Sequence, residues 1–236
     1  MGQPLGSAPG GEIEGFDANR VVDARLAAGL IVCSGDLGNP HYLLLKRPAH
    51  FGFAGGHHVF PGGAVDSTDQ LTLSAESPAD YNCRCAALRE CWEETGCREL
   101  QPLFDREADP RSLQRHALDL QHFVSWTTPK GVRKRFNARF YLWTSPTIYT
   151  VAAGPEVDEA RWVTAREALT QADRGEIQLM FPTLKTFELL ARLQSWDRII
   201  QQARQMPNDF IAPEIVNDDQ GLQITLPAWF EAALLG

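Results

Sequence analysis

Short apolar runs separated by polar turns mark the predicted strands of this chain. Each run is rich in branched or aromatic side chains, which favour β-structure. The segment SGDLGNP between the first two runs concentrates glycine, asparagine, aspartate and proline, as hairpin connections do. The runs that predict strands are AAGLIVC, HYLLLKR, HHVF, HFVSW, RFYLWT and ARWVT.

Residues 78–95 have the pattern of an amphipathic helix that ends before Gly96. Ser77, Pro78 and Asp80 are residue types favoured at the N-cap, the first helical position and the third position of such a helix. At about 100° per residue, the acidic side chains share one arc, and the opposite stripe is predicted to enter the core. That stripe contains Ala87, Leu88, Cys91, Trp92 and Thr95.

Two further helices are predicted in the second half of the chain. Thr164 and Glu167 have the spacing of a capping box. After Pro182, apolar residues recur with a helical period at positions 184, 187, 190 and 193. Beyond residue 207 the sequence predicts strand and turn, with NDDQG as the turn.

The first part of the chain, residues 1–20, is rich in glycine and proline and offers little apolar surface. We predict a flexible segment there, because little burial would offset the entropy of fixing it. Residues 21–236 are predicted to form one domain that includes a C-terminal helical extension.

The net charge and composition of the chain limit the classes of partner that it is expected to bind. A formal net charge of −8 at pH 7 argues against binding to a nucleic acid polymer, which needs a basic surface. We expect no membrane span and no secretory signal, and hence a cytoplasmic protein, because no apolar run approaches the roughly 20 residues of a span. Five cysteines, most of them around one segment, are expected to be reduced and buried.

The string RECWEETGC, residues 89–97, gathers Glu90, Glu93 and Glu94 beside Arg89. A solvated acidic helix face would explain this cluster, since repulsion between exposed carboxylates costs only a few tenths of a kcal/mol per pair. The alternative is a divalent cation, because carboxylate oxygens are the ligands that Mg²⁺ prefers. The surrounding sequence decides between the two.

Upstream, HVFPGGAVD places Gly62 and Gly63 directly after a short predicted strand. Adjacent glycines let the backbone approach a ligand closely, although such a pair is usually only a turn. Together the two segments resemble the Nudix box, which reads G, five residues, E, seven residues, R-E-U-x-E-E-x-G-U, with U a bulky aliphatic residue. Here Cys91 and Cys97 stand at the U positions.

The middle of the box departs from this pattern. Arg89 follows Gly63 by 26 residues instead of 14, so about twelve residues are inserted. Tyr81 stands where the box has its first glutamate, which the resemblance implies is a structural brace. Four acidic residues are candidates to replace that brace: Asp66, Asp69, Glu76 and Asp80.

An insertion at this place resembles the Nudix subgroup that includes the peroxisomal coenzyme A diphosphatases. Its coenzyme A signature is only partly matched. Arg47, Gly56 and FPGG fit that signature, whereas Leu45, Pro48 and Gly52 replace its threonine, serine and second arginine. The resemblance implies an α/β (α+β) fold, an α/β/α sandwich around a mixed β-sheet with extra C-terminal helices.

The resemblance also implies roles for the residues of the box. Glu93 and Glu94 would bind Mg²⁺ or Mn²⁺, and the carbonyl near Gly63 would complete the metal site. Glu90 would be a further ligand or the base that acts on water, at a pKa that neighbouring carboxylates raise. Arg89 would pair with Glu93 and hold the ligand geometry.

Residues outside the box are candidates for catalysis and substrate binding. Family members often take another acidic residue from a loop before a late strand; Glu156 fits best and Glu159 second. The basic run at 133–135 could bind phosphates beside aromatic residues, or be a hairpin turn with solvated charges. His57 and His58 could touch substrate or be satisfied loop histidines. The predicted substrate contacts are Arg47, His58, Arg133 and Arg135.

Three functions remain open from the sequence. The first is a metal-dependent diphosphatase acting on a small nucleoside diphosphate derivative, with coenzyme A or acyl-coenzyme A competing with NADH and ADP-ribose. The second is a non-catalytic module that senses a nucleotide. The third is a hydrolase of oxidised nucleoside triphosphates. Self-association as a homodimer is left open.

Overall fold

The computed structural model describes residues 3–4, 16–52, 54–69, 80–218 and 221–235. The strands are β1 (Gln3–Pro4), β2 (Arg25–Ser34), β3 (His41–Lys46), β4 (His58–Val59), β5 (Gly62–Ala64), β6 (Gln121–Thr127), β7 (Phe136–Thr144), β8 (Glu159–Thr164), β9 (Glu214–Asp218) and β10 (Gly221–Thr225). The helices are α1 (Tyr81–Thr95), α2 (Gln101–Phe104), α3 (Pro110–Asp119), α4 (Ala165–Asp173), α5 (Phe181–Leu193), α6 (Trp196–Gln205) and α7 (Ala228–Leu235). A short 3₁₀ helix, Ser67–Asp69, precedes α1.

Within the described residues, seven strands form a mixed sheet around β2. The order β4-β3-β2-β7-β6 is extended by β5, which pairs with the first half of β2, and by β8, which pairs with β3. The β2–β7 pair is parallel, whereas the other pairs are antiparallel. Because β2 is central, eight of its ten residues are buried.

Side chains of β2 alternate between two cores, as the period of a strand requires. Leu30 and Val32 enter the core on the α1 side, and Ile31 and Cys33 enter the core on the α5 side. Helices therefore cover both faces of the mixed sheet. This arrangement confirms the predicted α/β/α sandwich with extra C-terminal helices.

A second, three-stranded sheet joins the two ends of the described chain. Its order is β1-β10-β9, and the first strand brings residues 3–4, from the segment predicted to be flexible, against β10. The predicted turn NDDQG lies partly outside the described residues. The strands predicted after residue 207 are present as β9 and β10, and they are followed by α7, which that prediction did not include and which buries Phe230 against Trp126 at 5.2 Å between ring centroids.

The capping box predicted at the start of α4 is present in the structure. At α4, the Thr164 hydroxyl accepts from the Glu167 N–H, and the Glu167 carboxylate accepts from the Thr164 N–H, which confirms the capping box. Asp80 precedes α1 without capping it. The predicted cap at Ser77 and Pro78 lies outside the described residues. No helix in the described part of the chain is long and apolar enough to cross a bilayer.

Candidate functional site

The acidic cluster lies on α1, which packs one face on the sheet and turns Arg89 and its neighbours towards β5. Residues of the predicted apolar stripe are buried, except Trp92, which is half-buried and stacks on Phe104. Gly96 ends the helix at a φ of 61°, a left-handed conformation that glycine adopts without strain. The periodicity of the sequence therefore places the carboxylates at the edge of the core.

The two glycines of β5 are fitted to two of these carboxylates. The N–H of Gly62 donates to Glu94 Oε2 at 2.9 Å. A Cβ atom on Gly63 would lie 2.4 Å from the Glu90 carboxylate, so only glycine leaves room for that group. The Pro-Gly-Gly turn and the glutamates of α1 are therefore one structural unit.

The Arg89 guanidinium donates hydrogen bonds to four residues. Its Nε and Nη2 donate to the two carboxylate oxygens of Asp69 at 2.9 and 3.0 Å, and Nη2 also donates to the carbonyl of Ala64. Its Nη1 donates to Glu90 Oε1 at 3.0 Å and to Glu93 Oε2 at 2.9 Å. The guanidinium thus links the 3₁₀ helix, β5 and two glutamates, including the expected partner Glu93.

Of the four acidic residues considered as the missing brace, Asp69 is the one in contact with Arg89. Its side chain is 3% exposed, and the N–H of Asp66 also donates to it. Asp80 is engaged elsewhere, accepting from Arg84 and from the Tyr141 hydroxyl. Glu76 lies outside the described residues.

The carboxylates of the cluster differ in their environments. Burial raises the pKa of Glu94 to about 8, although the Gly62 N–H and the Arg47 charge act in the opposite direction. Burial also raises the pKa of Glu90, and Arg89 opposes that shift. The negative charge of Glu156 adds to both increases, which places Glu156 electrostatically in the same cluster.

The donor set suits a hard divalent cation. It consists of carboxylate oxygens beside a glycine backbone, the chemistry that Mg²⁺ and Mn²⁺ prefer. The Glu90 carboxylate occupies the space at Gly63 that any Cβ would fill. Among the described residues, no three acidic, histidine or cysteine side chains converge on one point. Arg89 binds one carboxylate oxygen of Glu90 and one of Glu93, which leaves the second oxygen of each to a cation, so the residues fit a metal chemically.

A cavity of about 500 Å³ adjoins this cluster. It reaches the cluster at Gly62, Gly63, Arg47 and Glu156. Most of its remaining wall is apolar and lies on the α5 side of the sheet. The larger apolar side chains of that wall are Phe51, Phe60, Trp126, Phe136, Phe140, Met180, Phe181 and Ile224.

Arg47 connects the cavity to the acidic cluster. Its guanidinium lies 3.6 Å from Glu94 and 4.8 Å from the centre of the Phe51 ring. It is therefore positioned between a buried carboxylate and the open space of the cavity, as a group that binds an anionic substrate would be.

The basic run at 133–135 divides into three different environments. Arg135 donates to the carbonyls of Val22, Thr128 and Pro129, so its donors hold the backbone around the β6–β7 connection. Lys134 lines the cavity, whereas Arg133 is exposed and is absent from the cavity wall.

The remaining predicted contacts lie away from the cavity wall. His58 is buried in β4, and burial lowers its pKa to about 4, which leaves a neutral ring. His57 is also buried, with Nδ1 3.1 Å from the Gly55 carbonyl. Glu159 pairs with Arg161 at the start of β8.

Two cationic residues of the cavity were not among the predicted substrate contacts. Arg25, at the start of β2, has no motif in the sequence that singles it out. Lys134 belongs to the basic run at 133–135 that could bind phosphates, but only the two arginines of that run were chosen as substrate contacts.

Comparison with known proteins identifies the family. The Caenorhabditis elegans protein named "Putative nudix hydrolase 7" is 26% identical over 177 residues, which are 66% of this chain and 57% of that protein. The chain thus spans little more than half the length of this relative. The structure of a NUDIX hydrolase from Alicyclobacillus acidocaldarius is 26% identical, covers 77% of this chain and 97% of its own, and superimposes with a TM-score of 0.61. The NUDIX domain family matches residues 23–184, and the chain belongs to that family.

Proposed function

We propose that this protein hydrolyses a phosphoanhydride bond in a nucleoside diphosphate linked to a second group, with Mg²⁺ or Mn²⁺ as cofactor. The observation that supports this most directly is the junction of Glu90, Glu94 and the β5 glycines with the mouth of a cavity large enough for a small molecule. A plain acidic surface would not require a glycine under a buried carboxylate.

Glu90, Glu93 and Glu94, with the Gly63 carbonyl, would hold the metal. A bound Mg²⁺ or Mn²⁺ supplies an activated water and neutralises charge on the phosphate oxygens. Arg89 is not a metal ligand in this proposal. It fixes the rotamers of Glu90 and Glu93 through hydrogen bonds and is itself fixed by Asp69.

Glu90 and Glu156 are the candidate bases. The raised pKa of Glu90 makes its carboxylate a better proton acceptor, and its position beside Gly63 supports a role at the proposed metal site. Glu156 lines the cavity from the loop before β8. One of them would take the proton that water loses as it attacks phosphorus.

Coenzyme A or acyl-coenzyme A is the first substrate to test. Arg47 and Lys134 supply cations on the cavity wall for an anionic substrate. The Lys134 ammonium lies 3.8 Å from the position that a Cβ on Gly52 would occupy, so a cation is present near the place where the coenzyme A signature has its second arginine.

A product assay tests this proposal. The purified protein with Mg²⁺ or Mn²⁺ would be incubated with coenzyme A, acyl-coenzyme A, NADH, ADP-ribose and a nucleoside triphosphate, and the products resolved by mass. We expect 3′,5′-ADP with a phosphopantetheine product. AMP from NADH or from ADP-ribose would instead assign that compound as the substrate. Binding without hydrolysis across the panel would contradict the enzyme and support a nucleotide sensor.

A further inference from the structure

The floor of the cavity is a row of small residues that crosses the mixed sheet. Ala64 pairs with Ala27, Ala27 with Ala138, and Ala138 with Trp126, and all four line the cavity. Side chains of directly paired residues lie on the same face of a sheet. With strands about 4.8 Å apart, three such steps give a trough of roughly 14 Å that leads from β5 to Trp126.

The far end of this trough includes residues outside the matched NUDIX domain. That match ends at residue 184, whereas Pro213 and Ile224 line the cavity. The segment that carries them is attached beside Trp126: the Ile211 N–H donates to the Ser125 carbonyl at 2.7 Å, and the Thr127 N–H donates to the Ile211 carbonyl at 2.9 Å. The C-terminal segment therefore forms a single bridge to the edge strand β6 and closes the cavity at the end opposite the glutamates.

The chemistry of this end is apolar. Phe181 and Ile224 are buried side chains there, 3% and 5% exposed. Nearby polar groups already have partners, since the Trp126 indole N–H donates to the Thr186 hydroxyl and the Thr127 hydroxyl donates to the Asn137 side chain. A charged or strongly polar group placed there would lose its hydration without finding new hydrogen bonds.

We propose that this C-terminal wall binds an uncharged, apolar part of the substrate that projects away from the diphosphate, and that Ile224 limits its length. This inference rests on the proposed diphosphatase activity, because the diphosphate must lie at the β5 end beside Glu90. The trough then favours substrates whose apolar part has a length that fits across the strands, and the polar end favours a diphosphate.

A homologous series of substrates measures this directly. The probes are adenosine 5′-diphosphates whose terminal phosphate is esterified with methyl, butyl, hexyl or dodecyl groups. We expect kcat/KM to rise by up to about fourfold for each methylene that becomes fully buried, and then to level off. Calorimetric binding of the matching α,β-methylene analogues, which cannot be hydrolysed at that bridge, provides a second readout without turnover.

Variants at Ile224 test whether the C-terminal wall causes the dependence of kcat/KM on chain length. Ile224→Trp shortens the cavity, so the ratio of hexyl to methyl kcat/KM should fall towards one. Ile224→Ala lengthens it, so the plateau should move to a longer chain. Val216→Trp is the matched control on β9 of the same hairpin, because Val216 is 37% exposed and lies outside the cavity wall. It should keep the wild-type chain-length profile.

The outcomes separate this inference from the proposed function. Turnover of the methyl ester with no effect of chain length would retain the diphosphatase and overturn the apolar wall. Length-dependent binding of the analogues without turnover of any ester would support the wall and contradict the enzyme. A length effect that Ile224→Trp and Ile224→Ala both leave unchanged would place the apolar site elsewhere and overturn the role of Ile224.

Discussion

Asp69 and Arg89 form a two-point ion pair that joins the start of the box insertion to α1. The two carboxylate oxygens accept from Nε and Nη2 at 2.9 and 3.0 Å, and the Asp69 side chain is almost completely buried. The hydrogen bond and charge of Asp69, together with those of Glu90, raise the pKa of the Arg89 guanidinium. The geometry that the proposed metal ligands need is thereby fixed from outside α1.

Asp69→Asn should weaken both the fold and the metal site. Removing one partner of a buried pair leaves Arg89 without its main counterion and costs about 3 kcal/mol in the free energy of unfolding. Because Arg89 then relaxes, we also expect the affinity for Mn²⁺ to fall at least tenfold, measured by electron paramagnetic resonance of the free ion.

Asp69→Glu is the conservative variant that separates positioning from bulk stability. It restores the carboxylate, and we expect recovery of most of the Mn²⁺ affinity even where the unfolding free energy stays reduced. Equal Mn²⁺ affinity in Asp69→Asn and wild type would refute the positioning role.

Glu93→Gln should leave a folded protein with little activity. Gln keeps an oxygen that accepts from Arg89 and preserves the amphipathic helix, but it removes a negative charge from the proposed metal site. We expect kcat with Mg²⁺ to fall by at least about 100-fold. Glu107→Gln, at an exposed glutamate beyond α2, should match wild type. An active, metal-independent Glu93→Gln protein would exclude the mechanism.

Gly63→Ala should impair the site with little effect on the fold. The new Cβ would lie 2.4 Å from the end of the Glu90 side chain, which can rotate away but then leaves its position beside β5. We expect tenfold or greater loss of Mn²⁺ affinity, with a change in unfolding free energy below about 1 kcal/mol. Gly154→Ala is the control, because no atom lies within 4 Å of its added Cβ. Full metal affinity in Gly63→Ala would rule out Glu90 as a ligand.

The metal-free protein should lose stability as pH rises from about 5 to above 8. Burial raises the pKa of Glu94 from its ordinary 4.5 to about 8, so the folded state holds a proton that the unfolded state has released. Stability from this group is complete below about pH 4.5 and disappears as pH rises through about 8. Urea titrations at several pH values would measure the slope.

Glu94→Gln should flatten that slope, because it removes the titrating group and keeps an oxygen for the Gly62 N–H. A weaker slope from Glu90, whose pKa is also raised, should remain. Saturating Mg²⁺ should reduce the slope in wild type, since the cation competes with the proton. An unchanged slope in Glu94→Gln would mean that this carboxyl is ionised in the folded protein throughout the range.

Interactions between residues close in the sequence could be predicted from it, whereas interactions between distant residues could not. The Thr164–Glu167 capping box involves partners three residues apart, so spacing alone specified it. The ion pair that braces Arg89 joins residues twenty positions apart across an insertion, and the sequence offered four acidic candidates for it. Only the folded backbone distinguishes Asp69, which faces α1, from Asp80, which binds Arg84 and Tyr141.

The residues that line the cavity could likewise not all be identified from the sequence. Arg135 and Lys134 are adjacent cations that sequence cannot separate, yet one donates to backbone carbonyls and the other lines the cavity. The row Ala64, Ala27, Ala138 depends on strand register, which a single sequence leaves open. The contribution of Ile224 depends on a C-terminal hairpin whose docking partner, Trp126, lies about a hundred residues earlier.

The ion pair between Asp69 and Arg89 affects how the length of this chain can vary. It closes the chain between residues 69 and 89 into a ring and anchors α1 to the 3₁₀ helix Ser67–Asp69. Lengthening a loop within such a ring costs little, roughly 0.6 kcal/mol for each doubling. Evolution could therefore add or remove residues at this point, and graft new recognition elements there, while the chemistry a few ångströms away stays constant.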